Sequence, residues 1–186
     1  LMVALRALYD LKRMPIRLST WLRTSPDAKR LGVILAIALV IQVVYFVRIQ
    51  SIYSPEGLTT DLYYQKAAEN ILSDGISGFV YGAEDFPDVD RTRFRPPLYS
   101  VVLSGIYGVF GINAAVALGF NILFLLAAIA VVYLIGRTLS PAIGVLAALV
   151  FVADPINIIT TNKVGADNLF ALLVAMFLLV TLRAYS

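Results

Sequence analysis

The feature that most limits this chain is a set of apolar runs as long as a bilayer is thick, broken once at length by polar residues. Runs at 31–47, 112–136, 141–159 and 169–182 carry little charge, whereas residues 51–95 are predominantly polar. A helix rises about 1.5 Å per residue, so about 20 apolar residues cover a hydrocarbon core of about 30 Å. In lipid every backbone N–H and C=O must be satisfied within the structure, and a helix does this by itself. The chain therefore reads as an all-α integral membrane protein with about four transmembrane helices, at about 31–49, 112–136, 141–159 and 168–184. Further juxtamembrane helices belong to an external loop spanning 51–111.

Composition agrees. The sequence is 60% hydrophobic and 15% charged, against about 45–50% and about 25% in soluble domains. Without Cys there are no disulfides or thiolate metal sites, and without His the commonest transition-metal ligand is missing. Any metal held by this chain alone is a hard, oxygen-liganded divalent cation. Seven of the fifteen Lys and Arg residues fall in the first thirty positions. A membrane segment follows them at once, so they mark topology and not a nucleic-acid surface. Cationic flanks stay inside, which places the N-terminus in the cytoplasm. Residues 1–30 read as a basic cytoplasmic amphipathic segment, helical over 1–18 up to a break near Pro15, with Trp21 as an interfacial anchor. A solvated helix that merely carries topology charge explains the same pattern. The start at Leu1 and the stop at Ser186, directly after an apolar run, read as one part of a longer protein.

The outer loop has its own pattern. Thr59 or Thr60 caps a helix running to about Ser73, with Gly75 as its stop. Leu62, Ala67, Ile71 and Leu72 give it an apolar stripe suited to the membrane surface. Residues 98–110 are apolar but too short to cross, so this helix stays outside or re-enters, with Gly105, Gly108 and Gly111 open to close packing. That choice puts Arg137 and Arg183 inside and gathers Asp61, Arg95 and Asp167 outside.

Five groups of residues attract attention for chemistry. A helix first turn favours the ionised form of Asp61, which suits general-base work, though Asp there is more often a plain helix stabiliser. Arg91, Arg93 and Arg95 precede Pro96-Pro97, a pair that can only open a helix. Arginines at that level either anchor to headgroups or hold a lipid phosphate. Tyr63, Tyr64 and Tyr99 belong to an interfacial belt or line a pocket. Asp167, after the polar run 160–163, is an exposed first-turn acid or faces a water-filled cavity, and Asp154 is ambiguous in the same way. Asn113 and Asn121 suit hydrogen bonds between helices.

Taken in order, Thr60-Asp61-Leu62-Tyr63-Tyr64, Arg95-Pro96-Pro97-Leu98-Tyr99, Phe110-Gly111, Tyr133-Leu134-Ile135-Gly136-Arg137, Pro155, and Asp167 with Leu169 resemble the N-terminal part of the GT-C glycosyltransferases. The nearest branch is that of the protein O-mannosyltransferases and aminoarabinose transferases, over roughly 31–184. The chain departs from many relatives in having Leu62, not a second acid, after Asp61. The resemblance implies a GT-C-like membrane module at 31–186 and a polyprenyl- or dolichyl-phosphate sugar donor. It implies inverting transfer on the non-cytoplasmic face of the cell membrane, or of the endoplasmic reticulum in a eukaryote. It further implies Asp61 as the catalytic carboxylate of the first loop, which deprotonates or orients the acceptor hydroxyl. Arg95 would contact the donor phosphate, with Asp167, Arg93, Tyr64 and Tyr99 in the substrate site. Further helices of the same protein or another subunit would complete the enclosure. The competing reading is a non-catalytic membrane subunit with a lipid-phosphate-binding surface.

Overall fold

Proline, asparagine and glycine punctuate the chain at its structural breaks. The computed structural model describes residues 26–50, 62–76 and 97–185, and these are 89% helical with no strand. Among the described residues there are seven helices: α1 (Asp27–Gln50), α2 (Leu62–Asp74), α3 (Pro97–Phe110), α4 (Ala114–Arg137), α5 (Pro141–Ala153), α6 (Pro155–Thr161) and α7 (Asp167–Ala184). The segment 1–25, with its expected surface helix and Trp21, lies outside the described residues.

Local chemistry accounts for the ends. α2 is followed by Gly75 at φ +72 and α3 by Gly111 at φ +85, a left-handed conformation that costs glycine nothing. Asn113 caps α4 by accepting from the Ala115 N–H at 2.8 Å. Ser140 caps α5 by accepting from the Ile143 N–H, and Pro141 follows it at the first helical position. Asp154 and Pro155 repeat the device for α6. Asn113 and Asp154 thus cap their own helices.

Among the described residues three helices are long and apolar enough to cross a membrane: Asp27–Arg48, α4 and α7. The fourth expected span, 141–159, is not a straight helix. It breaks at Asp154–Pro155 into α5 and α6, bent by 58°. The proline lacks a donor and holds Asp154 extended (φ −67, ψ 117), so the ladder cannot continue through it. The 14 residues of α3 rise only about 21 Å, short of a bilayer core.

Contacts fix the directions. The start of α1 meets the end of α4, where Asp27 pairs with Arg137 at 2.7 Å, so these two run antiparallel. α7 begins beside Asn121 and packs along α4 in the same direction. α2 and α3 run parallel: Tyr64 meets Tyr99 near their starts, and Leu72 meets Gly108 toward their ends. The buried face of α2 is Tyr64, Ala67, Ala68 and Ile71. It lies on α3, and Leu72 remains 44% exposed, which redraws the expected stripe.

The apolar interior has two parts. One gathers Tyr64, Tyr99, Leu103, Tyr107, Leu118, Val164 and Leu169 around α2, α3 and the head of α7. The other gathers Ile34, Ile129, Tyr133, Val145 and Val152 between α1, α4 and α5. The tightest backbone approach is not in α3. Gly105 has open space beside it, whereas a Cβ on Gly136 would sit 2.8 Å from Gly144 Cα and one on Gly144 would sit 2.8 Å from the Tyr133 carbonyl oxygen. Only glycines allow α4 and α5 to meet at that corner.

Candidate functional site

The site is built on carboxamides buried at the end of the bundle where α3 and α7 begin. Asn121 lies within α4 and is fully buried. Its Oδ1 accepts from the Tyr99 hydroxyl at 2.9 Å, and its Nδ2 donates to the Lys163 carbonyl at 2.5 Å. Asn168, in the first turn of α7, donates to the Asn121 carbonyl at 3.2 Å and to Thr161 Oγ1 at 3.0 Å. Asn162 donates to Gln42 Oε1 on α1 at 2.9 Å. A buried amide without partners costs far more than a paired one gains, so these groups occur together or not at all. The result is a neutral knot that ties α1, α3, α4, α6 and α7 at one level.

Tyr64 and Tyr99 stand edge to face, with ring centroids 5.0 Å apart at 81°. Both are buried, so the structure assigns them to a packed cluster and not to a lipid-facing belt. Burial above all pushes the Tyr99 hydroxyl well above the usual tyrosine range, with Asp167 among the nearby groups that raise it further. It therefore stays protonated and donates to Asn121. Tyr107 is pushed up to about 12, first by burial and then by Glu69. Its hydroxyl and that of Ser100 are buried without a hydrogen-bond partner.

Asp167 opens α7 at this same end, exposed, with no ion pair to any described residue. Lys163, four positions earlier, is exposed and likewise unpaired among the described residues. The structure thus brings Tyr64, Tyr99 and Asp167 to one end of the bundle. Asp61, Arg93 and Arg95 lie outside the described residues. In the sequence, Asp61 directly precedes the first residue of α2, and Arg95 stands two positions before Pro97, the first of α3. Among the described residues no group of three His, Cys, Asp or Glu side chains could hold a metal ion.

The opposite end is organised differently. Asp27 accepts from Arg30 Nη1 and from the Tyr133 hydroxyl, both at 3.0 Å, and pairs with Arg137 Nη2 at 2.7 Å. Sequence reasoning anticipated Asn121 as an interhelical residue but missed Gln42, Asn162, Asn168 and Asp27. For the three amides the available signal was a carboxamide within or just before an apolar run, which is costly unless paired.

A family model described as dolichyl-phosphate-mannose-protein mannosyltransferase matches residues 94–186, half of the chain. The match takes in Arg95, Tyr99, Asn121, Lys163 and Asp167, and it begins after Asp61, Tyr64 and Arg93. No curated protein and no solved structure matches the chain significantly. An all-α membrane architecture, a polar end built by α3, α4 and α7, and a family match over those same elements lead to one conclusion: the chain belongs to the dolichyl-phosphate-mannose-protein mannosyltransferase family.

Proposed function

We propose that this chain is the N-terminal membrane module of a GT-C glycosyltransferase that moves a sugar from a polyprenyl- or dolichyl-phosphate donor to an acceptor hydroxyl. The observation that carries the reading is the meeting of Tyr64, Tyr99 and Asp167 at one end of the bundle, within the half-chain that the family model covers or beside it. The motif series Arg95-Pro96-Pro97-Leu98-Tyr99 and Asp167 with Leu169 supports the protein O-mannosyltransferase and aminoarabinose-transferase-like branch. Basic residues at the opposite end, Arg30 and Arg137, favour that end as cytoplasmic and the tyrosine end as the reaction face.

The acceptor oxygen attacks the anomeric carbon from the side opposite the phosphate. The anomeric C–O bond breaks, and the lipid phosphate leaves with its electron pair. Asp61 takes the acceptor proton, which increases the nucleophilicity of the oxygen as the bond forms. Arg95, with Arg93 beside it, stabilises the charge that gathers on the departing phosphate. Asp167 accepts hydrogen bonds from the sugar, while Tyr64 and Tyr99 wall the site.

The test is a transfer assay on the full-length protein, reconstituted with defined polyprenyl-phosphate sugars, mannose first. Asp61→Asn is expected to abolish turnover while membrane insertion is unchanged. Retained turnover would remove Asp61 from the mechanism. A wild-type protein that binds the lipid phosphate and transfers no sugar would favour a non-catalytic lipid-binding subunit.

A further inference from the structure

We propose that Lys163 binds the phosphate of the lipid-linked donor, and that Asn121 is the positioning residue that fixes it there. This rests on the glycosyl-transfer reading for the identity of the donor, but the phosphate-binding claim comes from the turn itself.

Residues 162–166 form a short turn between α6 and α7, and its framework is held from three sides. Asn162 is tied to Gln42 of α1, the Lys163 carbonyl is held by Asn121 of α4, and Val164 is buried in the tyrosine cluster. Thr161 and Asn168, which flank the turn, are buried and bonded to each other. The side chains that leave this framework for solvent are Lys163 and Asp167. So much buried hydrogen bonding determines where one ammonium and one carboxylate begin. A single carboxamide links Lys163 to Tyr99: the Tyr99 hydroxyl and the Lys163 carbonyl share Asn121.

Among the described residues neither charge has an ionic partner. Lys163 and Asp167 are four residues apart, yet they pair neither with each other nor with any described residue. At the other end of the bundle Asp27 is shared among Arg30, Tyr133 and Arg137. An ammonium is a compact charge with three donors, and at a membrane surface its natural counter-ion is a phosphate. The nearby carboxylate sets the selectivity. It repels a second anionic group and accepts from hydroxyls, so the pair suits a phosphate that carries a neutral sugar. A plain anionic phospholipid satisfies Lys163 alone.

The experiment measures donor binding and steady-state transfer by the full-length protein in nanodiscs. The probes are a polyprenyl-phosphate sugar, an anionic phospholipid and the parent polyprenol without phosphate. Lys163→Gln is a surface change and is expected to weaken binding of the phosphate-sugar by about tenfold, as for loss of one hydrogen bond to a charged group. The loss appears in KM with kcat retained, and Lys163→Arg restores most of it. Asn121→Asp keeps an acceptor for Tyr99 but removes the donor to Lys163, and is expected to raise KM in the same sense with kcat unchanged. Binding equal to wild type in Lys163→Gln overturns the proposal. Equal competition by the anionic phospholipid, lost to the same degree in Lys163→Gln, makes the residue a headgroup anchor and also overturns it. A wild-type protein whose binding depends on Lys163 but which transfers no sugar sinks the catalytic reading and leaves this one standing.

Discussion

The two ends of this bundle use polar residues in opposite ways. At the α1 start, three cationic or phenolic donors converge on Asp27, so two guanidiniums share one carboxylate. At the α7 start the interior is held by neutral amides, while Lys163 and Asp167 remain unpaired among the described residues. Salt bridges that close on themselves hold helices; neutral knots can hold helices and still leave charge available to a ligand. The difference is the physical ground for the proposal that the α7 end is the working end, and the family match covers α3, α4 and α7, which build it.

The comparison can be tested by damaging each end in turn. The largest effect is expected at the glycine corner that brings α4 and α5 together. Gly144→Leu has no room, because its Cβ would lie 2.8 Å from the Tyr133 carbonyl oxygen and 3.1 Å from the Arg137 nitrogen, both backbone atoms. It should cost about 3 kcal/mol in detergent unfolding, with transfer falling only as the folded fraction falls. Asn121→Leu should cost about 2 kcal/mol by stranding the Tyr99 hydroxyl and the Lys163 carbonyl. Unlike the glycine change it should also raise KM for the donor, and a stability loss with KM unchanged would erase the distinction between the ends. Asp27→Asn keeps an acceptor for Tyr133 but removes the charge beside Arg30 and Arg137, so about 1 kcal/mol is expected with donor KM untouched. Arg137→Gln is the smallest. Its side chain is 48% exposed, so about 0.5 kcal/mol is expected, declining further as salt is added.

Particular residues show how far the sequence could be read. The apolar runs located α1, α4 and α7, and Gly75 and Gly111 stop α2 and α3 because only glycine adopts that backbone without strain. The apolar run 141–159 read as one span, and its 58° bend at Asp154-Pro155 appeared only in the structure. The glycines of α3 drew attention by their spacing, whereas the glycines in close contact are Gly136 and Gly144, which lie on different helices and have no shared period. Tyr64 and Tyr99 each fitted an interfacial belt better than a pocket, but their rings pack on one another.

The sequence by itself determined that this chain is helical, that its helices lie in a membrane, and where most of them stop. Those properties come from runs, spacings and cap residues, each legible within a few positions. Only the tertiary structure decided that Asn162 meets Gln42 and that Asn121 holds both Tyr99 and Lys163. A carboxamide in an apolar segment announces that it needs a partner, because an unpaired amide there is expensive. Which partner it finds depends on how distant helices cross, and no local pattern encodes that.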